Sequence, residues 1–119
     1  MKFDPGMRIK SFGYAFHGLK IVAGSQHNFW IHLVVACLVV ISGIVVRLTT
    51  MEWCIIVITI FLVLAMEVIN SAIEKLVDFV SPGFHQQAGL VKDISAAAVL
   101  LTAIAAVVVG LIIFLPKLT

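Results

Sequence analysis

The chain has 119 residues and a formal net charge of +2 at pH 7; 62% of its residues are hydrophobic and only 12% are charged. The apolar fraction exceeds the roughly 45–50% of soluble globular domains, and the mean hydropathy of +1.19 agrees, so a soluble fold is excluded in favour of an integral membrane protein. The length allows a single domain over residues 1–119, and we expect no nucleic-acid partner.

The first predicted element is an amphipathic helix over residues 7–24. Its apolar side chains recur at spacings of three and four, and Lys10 is one of the basic residues between them. The helix is too polar to span a membrane, and its basic residues suit anionic lipid headgroups. We therefore expect it to lie on the membrane surface and to bend at Gly24-Ser25 into the first span.

Three apolar segments follow, and each is long enough to cross the membrane. They cover residues 29–48, 51–80 and 87–115, and about 20 apolar residues match a hydrocarbon core of about 30 Å. Turns are predicted at Thr49-Thr50 and at Ser81-Pro82-Gly83. The predicted fold class is all-α and integral to the membrane, with three transmembrane helices after the surface helix.

The distribution of Lys and Arg predicts the orientation of these spans. Six basic residues are expected on the side of the N-terminus: Lys2, Arg8, Lys10, Lys20, Lys75 and Lys92. Two are expected on the opposite side: Arg47 and Lys117. Positive residues favour the cytoplasmic face. We expect a multi-pass protein of the cell membrane with a cytoplasmic N-terminus and an external C-terminus.

The second span carries acidic residues where acids are costly. Glu67, Ser71, Glu74 and Asp78 lie along one side of a helix, in a stripe about 16 Å long. A charged side chain at the centre of the bilayer costs about 2.5–3.5 kcal/mol on insertion scales. Such a stripe is a poor anchor, so we expect it to bind a partner, and a metal cation is the simplest one.

Polar residues of the other spans are predicted at the same inner boundary of the membrane. These are Gln26, Asn28 and His32 before and in the first span, and Lys92 and Asp93 at the start of the third. Three short spans do not easily enclose such a site, so we expect self-association. The small residues Ala98, Thr102, Ala106 and Gly110 recur every fourth position and allow close helix packing, although ordinary tolerated residues would give the same stripe.

Two chemical functions fit this arrangement. Phosphoryl transfer to a lipid alcohol uses Mg²⁺ held by one or two carboxylates and the substrate phosphates, and a base near the attacking hydroxyl. In that case Glu67, the deeper acid, would face the hydroxyl, and Glu74 would face the phosphates. A proton or cation pathway would use the same acids without an enzyme. No Walker A or kinase glycine-rich motif decides between them.

A longer motif favours the enzyme. The second span contains Glu67-x-x-Asn70-Ser71-Ala72-Ile73-Glu74-x-x-x-Asp78, and Lys92-Asp93 begins the third span. This pattern resembles the prokaryotic diacylglycerol kinase family, small membrane lipid kinases that include undecaprenol kinases. The similarity extends over nearly the whole chain, from Gly13-Tyr14 to Phe114-Leu115-Pro116-Lys117.

The resemblance implies a homotrimer of three-span subunits that share active sites between neighbours, with MgATP as phosphoryl donor. By position, Glu67 matches the catalytic base and Glu74 a metal ligand. The other expected site residues fall into two groups. Glu74, Asp78, His85, Lys92 and Asp93 are expected around the nucleotide; Asn70, Ser71 and Lys10 are expected as polar residues of the active site.

One position departs from the family pattern. Where the family has a second metal-binding glutamate, this chain has Gln26, followed by His27. An amide oxygen can coordinate a metal but brings no charge. Either the metal site is weaker, or His27 or another acid compensates, or the chain is less active than its relatives.

The acceptor lipid is predicted from similarity alone. The segments Glu52-Trp53 and Ile112-Ile113-Phe114-Leu115-Pro116-Lys117-Leu118 are more similar to the undecaprenol kinase branch. We therefore favour undecaprenol over diacylglycerol as the substrate.

Overall fold

The computed structural model describes residues 4–119, which form four α-helices and a final 3₁₀ turn. The helices are α1 (Pro5–Ser25), α2 (His27–Val46), α3 (Thr50–Val80) and α4 (Gln86–Phe114), and the turn covers Leu115–Leu118. Lys2, which contributes to the predicted orientation, lies outside the described residues. The prediction of an all-helical chain is confirmed.

Three of these helices are long and apolar enough to cross a membrane. They are His27–Val46, Thr50–Val80 and a third that continues through the 3₁₀ turn, Gln86–Leu118. Most of their large apolar side chains are exposed on the isolated chain, as expected for surfaces that face lipid or another protein. The prediction of three helices with the length and apolar composition of membrane spans is therefore confirmed.

The first helix continues one residue past its predicted end. Asp4 caps it by accepting a hydrogen bond from the Gly6 amide at 2.9 Å, and the Ser25 hydroxyl donates to the Ile21 carbonyl at 2.8 Å, which keeps Ser25 helical. The break to α2 lies at Gln26, whose backbone is extended (φ −121°, ψ 112°), and not at Gly24-Ser25 as the sequence suggests. The Trp30 indole bridges this break by donating to the Ala23 carbonyl at 2.5 Å.

A tight turn makes α2 and α3 antiparallel. Arg47 ends α2 in the left-handed conformation (φ 58°), and the Leu48 amide donates back to the Gly43 carbonyl at 3.1 Å. A Cβ atom at Gly43 would lie 2.8 Å from both Leu48 Cδ1 and Trp53 Cη2. Any larger residue at this position would therefore force the side chains of Leu48 and Trp53 to shift.

The opposite end of the turn is fixed by a capping box. The Thr49 side chain accepts from the Glu52 amide at 3.3 Å, and the Glu52 carboxylate accepts from the Thr49 amide at 2.9 Å. The same carboxylate accepts from Lys117 Nζ at 2.9 Å. This contact ties the start of α3 to the end of the chain.

The third span packs against the second along its length. The small residues Ala98, Thr102, Ala106 and Gly110 are all half-buried, and α4 packs mainly against α3. Near the turn, Leu48, Ile56 and Ile113 form a small apolar core. The small-residue stripe is partly covered within the chain, and two of its members, Ala106 and Gly110, line a cavity between the helices.

Candidate active site

The deepest acid of the stripe is enclosed by the chain itself. Glu67 lies in the middle part of α3 and is only 1% exposed. Its carboxylate oxygen Oε1 lies 3.1 Å from His32 Nε2 on α2. Helix–helix packing in one chain therefore already encloses Glu67, while the self-association expected for the whole site stays a prediction.

Ser71 follows Glu67 by one helical turn and is also 1% exposed. Its hydroxyl donates to the backbone carbonyl of Glu67 at 3.0 Å. This bond satisfies the hydroxyl within α3. Ser71 thus supports the helix under Glu67, and its oxygen is turned to the backbone.

A second acidic position lies further along α3. Glu74 is seven residues after Glu67, about 10 Å along the helix axis. One of its carboxylate oxygens accepts from Gln26 Nε2 at 3.3 Å, and the other accepts from Asn70 Nδ2 at 3.3 Å. The extended backbone at the α1–α2 break turns Gln26 toward α3. The sequence-predicted pair of Gln26 and Glu74 is therefore brought into contact.

A buried serine of α4 completes this network. The Ser95 hydroxyl donates to Asn70 Oδ1 at 2.7 Å, and both residues are buried. Because its oxygen is occupied by Ser95, the Asn70 amide presents its N–H group to Glu74. The sequence analysis missed Ser95, although its position three residues after Lys92 places it on nearly the same face of α4.

Two charged residues pair at the end of the stripe. Lys92 Nζ lies 2.5 Å from Asp78 Oδ1, and the pair joins the last turns of α3 to the first turns of α4. Both side chains are exposed, with 37% and 63% of their areas accessible. The sequence-predicted cation therefore lies beside the acidic stripe, at its accessible end.

Three expected site residues make no polar contact with this cluster. Asp93 is exposed and Lys10 is exposed on α1, and within residues 4–119 neither makes a hydrogen bond or ion pair. His85 caps α4, since its Nδ1 accepts from the Gln87 amide at 3.1 Å. The chain thus brings together Gln26, Asn70 and Glu74, pairs Asp78 with Lys92, and leaves these three apart.

The donor atoms around Glu74 suit a hard cation. No group of three His, Cys, Asp or Glu side chains converges within the described part of the chain, so an all-protein metal cage is absent there. Mg²⁺ ordinarily takes one or two carboxylates and completes its shell with water and substrate phosphates. The Glu74 carboxylate and, once its amide rotates, the amide oxygen of Gln26 form such a partial set of oxygen donors, while the Asn70 oxygen stays bonded to Ser95.

An apolar cavity adjoins His32, the partner of the buried acid. It has a volume of about 320 Å³, lies between α2, α3 and α4, and begins at His32. The remaining lining is apolar: Val35, Ala36, Val39, Ile56, Ile60, Val63, Leu64, Ala106, Val107, Gly110 and Leu111. The site therefore combines a buried carboxylate beside apolar space, an oxygen-donor cluster, and an accessible cation.

Comparison with known proteins shows which relatives have sequences similar to this chain. An undecaprenol kinase of Bacillus subtilis is 40% identical over 92% of this chain and 89% of its own length. A diacylglycerol kinase of Synechocystis is 38% identical over 91% of this chain and 62% of its own length, and one of Escherichia coli is 31% identical over 84% and 82%. Residues 13–114 match the family described as prokaryotic diacylglycerol kinase. The chain therefore belongs to the prokaryotic diacylglycerol kinase family and is a lipid kinase of a bacterial membrane, as its central motif predicts.

Proposed function

We propose that this protein transfers the γ-phosphoryl group of ATP to undecaprenol at the cytoplasmic boundary of the cell membrane, giving undecaprenyl phosphate and ADP. The observation that carries the proposal is the buried Glu67 carboxylate, placed about 10 Å deeper along α3 than the oxygen-donor cluster of Glu74. A lipid hydroxyl lies deeper than the phosphates of a soluble nucleotide. The choice of undecaprenol is supported by the 40% identical relative of that name.

Glu67 is the proposed general base. One of its oxygens faces His32, and the other makes no hydrogen bond with residues 4–119. The acceptor hydroxyl donates its hydrogen to this second oxygen, so that the proton passes to Glu67 as the hydroxyl oxygen bonds to the γ-phosphorus. The bond from the γ-phosphorus to the bridging oxygen breaks, and ADP leaves.

The apolar cavity that begins at His32 is the proposed place of the first part of the acceptor chain. The cavity is lined by His32, the hydrogen-bond partner of Glu67, and this brings apolar space to within one side chain of the proposed base. A prenyl chain that enters there leaves its terminal hydroxyl at Glu67. The cavity thus gives the acceptor an orientation without any polar contact to its chain.

Glu74 is the proposed metal ligand, Gln26 would add its amide oxygen, and Asn70 would orient the Glu74 carboxylate through its N–H group. When bound there, Mg²⁺ would neutralise the charge that develops on the phosphate oxygens. The two amides approach opposite oxygens of Glu74 and keep this carboxylate oriented. Ser95 holds the Asn70 amide in place from the side of α4.

Lys92 is the proposed phosphate-binding cation, and Asp78 orients it. An exposed Lys exchanges its partner readily because surface ion pairs contribute only about 0–1 kcal/mol. Phosphate oxygens carry more charge than one carboxylate, so Lys92 turns to the nucleotide when it binds. Asp93, His85 and Lys10 are proposed to surround the nucleotide or the acceptor headgroup.

The assembly and the membrane orientation belong to the same proposal. The family resemblance supports a homotrimer with active sites shared between subunits, and the exposed positions of Lys10, His85 and Asp93 are compatible with use by a neighbouring subunit. The excess of Lys and Arg on one side supports a cytoplasmic N-terminus and an external C-terminus. The apolar side chains on the first half of α1 are exposed, which suits a position on the membrane surface.

The test is transfer of labelled phosphate from ATP by the purified protein in detergent with Mg²⁺. Undecaprenol and diacylglycerol are offered in separate reactions at equal mole fraction. We expect a labelled undecaprenyl product formed well above the diacylglycerol product. The reverse preference would leave a lipid kinase and overturn the acceptor, and no product with either lipid from folded protein would overturn the proposed function.

A further inference from the structure

We propose that His32 is a positioning residue for catalysis. Its imidazole N–H holds the Glu67 carboxylate in the orientation in which it takes the proton from the hydroxyl group of the acceptor lipid. The inference rests on the proposed function, in which Glu67 is the base. Its direct observation is the contact of 3.1 Å between His32 Nε2 on α2 and Glu67 Oε1 on α3. The family motif that identifies Glu67 lies entirely on α3 and α4 and does not include this residue.

The contact satisfies a group that is costly to bury. The Glu67 side chain is 2% exposed, whereas the His32 side chain keeps 23% of its area accessible. A buried carboxylate without a hydrogen-bond donor loses its hydration, and no protein contact compensates for this cost in free energy. Within residues 4–119 His32 is the sole side chain that makes a polar contact with the Glu67 carboxylate, so it alone supplies this donor.

The donor role follows from the chemistry of the two groups. An ionised carboxylate only accepts hydrogen bonds, so the ring nitrogen that faces it must carry the hydrogen. This requirement assigns the Nε2–H tautomer to a neutral His32. The hydrogen bond from His32 fixes Oε1 of Glu67 and leaves Oε2 for the hydroxyl group of the acceptor lipid. His32 thus orients the base and does not itself transfer a proton.

The position of His32 is itself well fixed. Phe29, three residues earlier on α2, is buried, and Trp30 ties the same turn to the carbonyl of Ala23 on α1. Beyond His32 begins the apolar cavity, which excludes polar competitors for the imidazole from that side. The hydrogen bond therefore lies in surroundings of low polarity, where it is stronger than in water.

The first test compares two substitutions at this position. His32→Leu removes the donor, and His32→Gln keeps an amide N–H at similar reach. With undecaprenol and MgATP, we expect His32→Leu to lower kcat by about 10- to 100-fold, because a displaced base loses alignment with the hydroxyl. The KM for ATP should stay within about twofold, since the nucleotide side of the site is distant. His32→Gln should recover most of the lost kcat.

Val34→Ala is the matched control, because Val34 is an exposed apolar residue of the same helix that does not line the cavity. It should leave kcat within about threefold of the wild-type value. A His32→Leu protein with wild-type kcat would overturn the proposal, as would a His32→Gln protein as impaired as His32→Leu. An inactive wild-type protein would instead overturn the proposed function, and the positioning role with it.

A second measurement does not depend on activity. His32→Leu leaves the Glu67 carboxylate buried without its donor, whereas the double variant His32→Leu/Glu67→Leu removes both polar groups. We expect the thermal midpoint of His32→Leu to fall and that of the double variant to return toward the wild-type value. Additive losses from the two single variants would show that the pair is not coupled, and would overturn the proposal. If His32→Leu does not fold, His32→Asn, whose amide is too short to reach Glu67, takes its place in both tests.

Discussion

Gln26 and Glu74 lie in direct contact: the amide Nε2 of Gln26 donates to a carboxylate oxygen of Glu74 at 3.3 Å, although 48 residues separate them. The family resemblance places a second metal-binding glutamate at position 26. The structure puts the amide of Gln26 against Glu74, the proposed metal ligand. An amide here avoids the repulsion that two neighbouring carboxylates would have, and in the proposed function it would supply an uncharged oxygen to a metal.

This contact predicts the effect of Gln26→Glu. A second carboxylate raises the affinity for Mg²⁺, so we expect the Mg²⁺ concentration for half-maximal kinase activity to fall by roughly threefold or more. Without divalent metal the two carboxylates repel each other, so the thermal midpoint in EDTA should also fall. A magnesium titration of activity and a melting curve in EDTA measure these two effects.

His27→Gln is the control, because His27 is exposed and makes no side-chain hydrogen bond within the described residues. It should leave the Mg²⁺ requirement unchanged. If His27→Gln raises that requirement and Gln26→Glu does not lower it, then His27 compensates for the missing glutamate, and the proposed role of position 26 is wrong.

Ser95→Ala is predicted to weaken the site from α4. It leaves the buried Asn70 oxygen without its donor, which costs about 1–3 kcal/mol, and it frees the Asn70 amide to turn away from Glu74. We expect a lower thermal midpoint together with a higher Mg²⁺ requirement. Ser42→Ala is the matched control, since the Ser42 hydroxyl is exposed and bonds only to its own helix at Leu38. Equal effects of the two substitutions would contradict the proposed network.

Lys92→Met is predicted to impair ATP use with little loss of stability. Removal of a charged hydrogen bond to phosphate should lower kcat/KM for ATP by about 10- to 100-fold. The thermal midpoint should change little, because the ion pair with Asp78 is exposed. Steady-state kinetics at several ATP concentrations and a melting curve distinguish the two effects. A large loss of stability with unchanged kcat/KM would make Lys92 a structural residue.

Gly43→Ala is predicted to destabilise the α2–α3 turn. The new Cβ would lie 2.8 Å from Leu48 Cδ1 and Trp53 Cη2, and overpacking of this kind costs about 1–3 kcal/mol. Gly110→Ala on α4 is the control, because a Cβ there meets nothing within 4 Å in this chain. The thermal midpoint of Gly43→Ala should fall clearly below that of Gly110→Ala, and equal midpoints would contradict the packing described for the turn.

The fold was largely predictable, because the hydropathy of the segments determines the three long helices and the turn residues mark where they end. Apolar length alone predicts the three spans, and the turn predicted at Thr49-Thr50 lies where the structure has the capping box of Thr49 and Glu52. The break at Gln26 was misplaced because Gly24 and Ser25 look like turn residues, whereas the Ser25 hydroxyl is satisfied inside the helix. Helix breaks depend on tertiary contacts that local sequence does not contain.

The candidate site was predictable along α3 and less so across helices. Helical spacing predicts Glu67, Ser71 and Glu74 on one side of α3, and the structure adds a hydrogen bond from Asn70 to Glu74 that was not predicted. The contacts of His32 with Glu67 and of Ser95 with Asn70 depend on how α2 and α4 rotate against α3. Single polar residues in apolar spans were the available signal, and spacing within one helix does not identify their partners.

The most direct test of the account compares Glu67→Gln with Glu74→Gln in the undecaprenol kinase assay across a magnesium titration. The account predicts that Glu67→Gln lowers kcat by about 10²- to 10⁴-fold at every Mg²⁺ concentration, because it removes the base. Glu74→Gln should instead raise the Mg²⁺ concentration for half-maximal activity, with partial recovery of rate at high Mg²⁺. Equal residual activity and an equal Mg²⁺ requirement in the two variants would contradict the division of roles between the two glutamates.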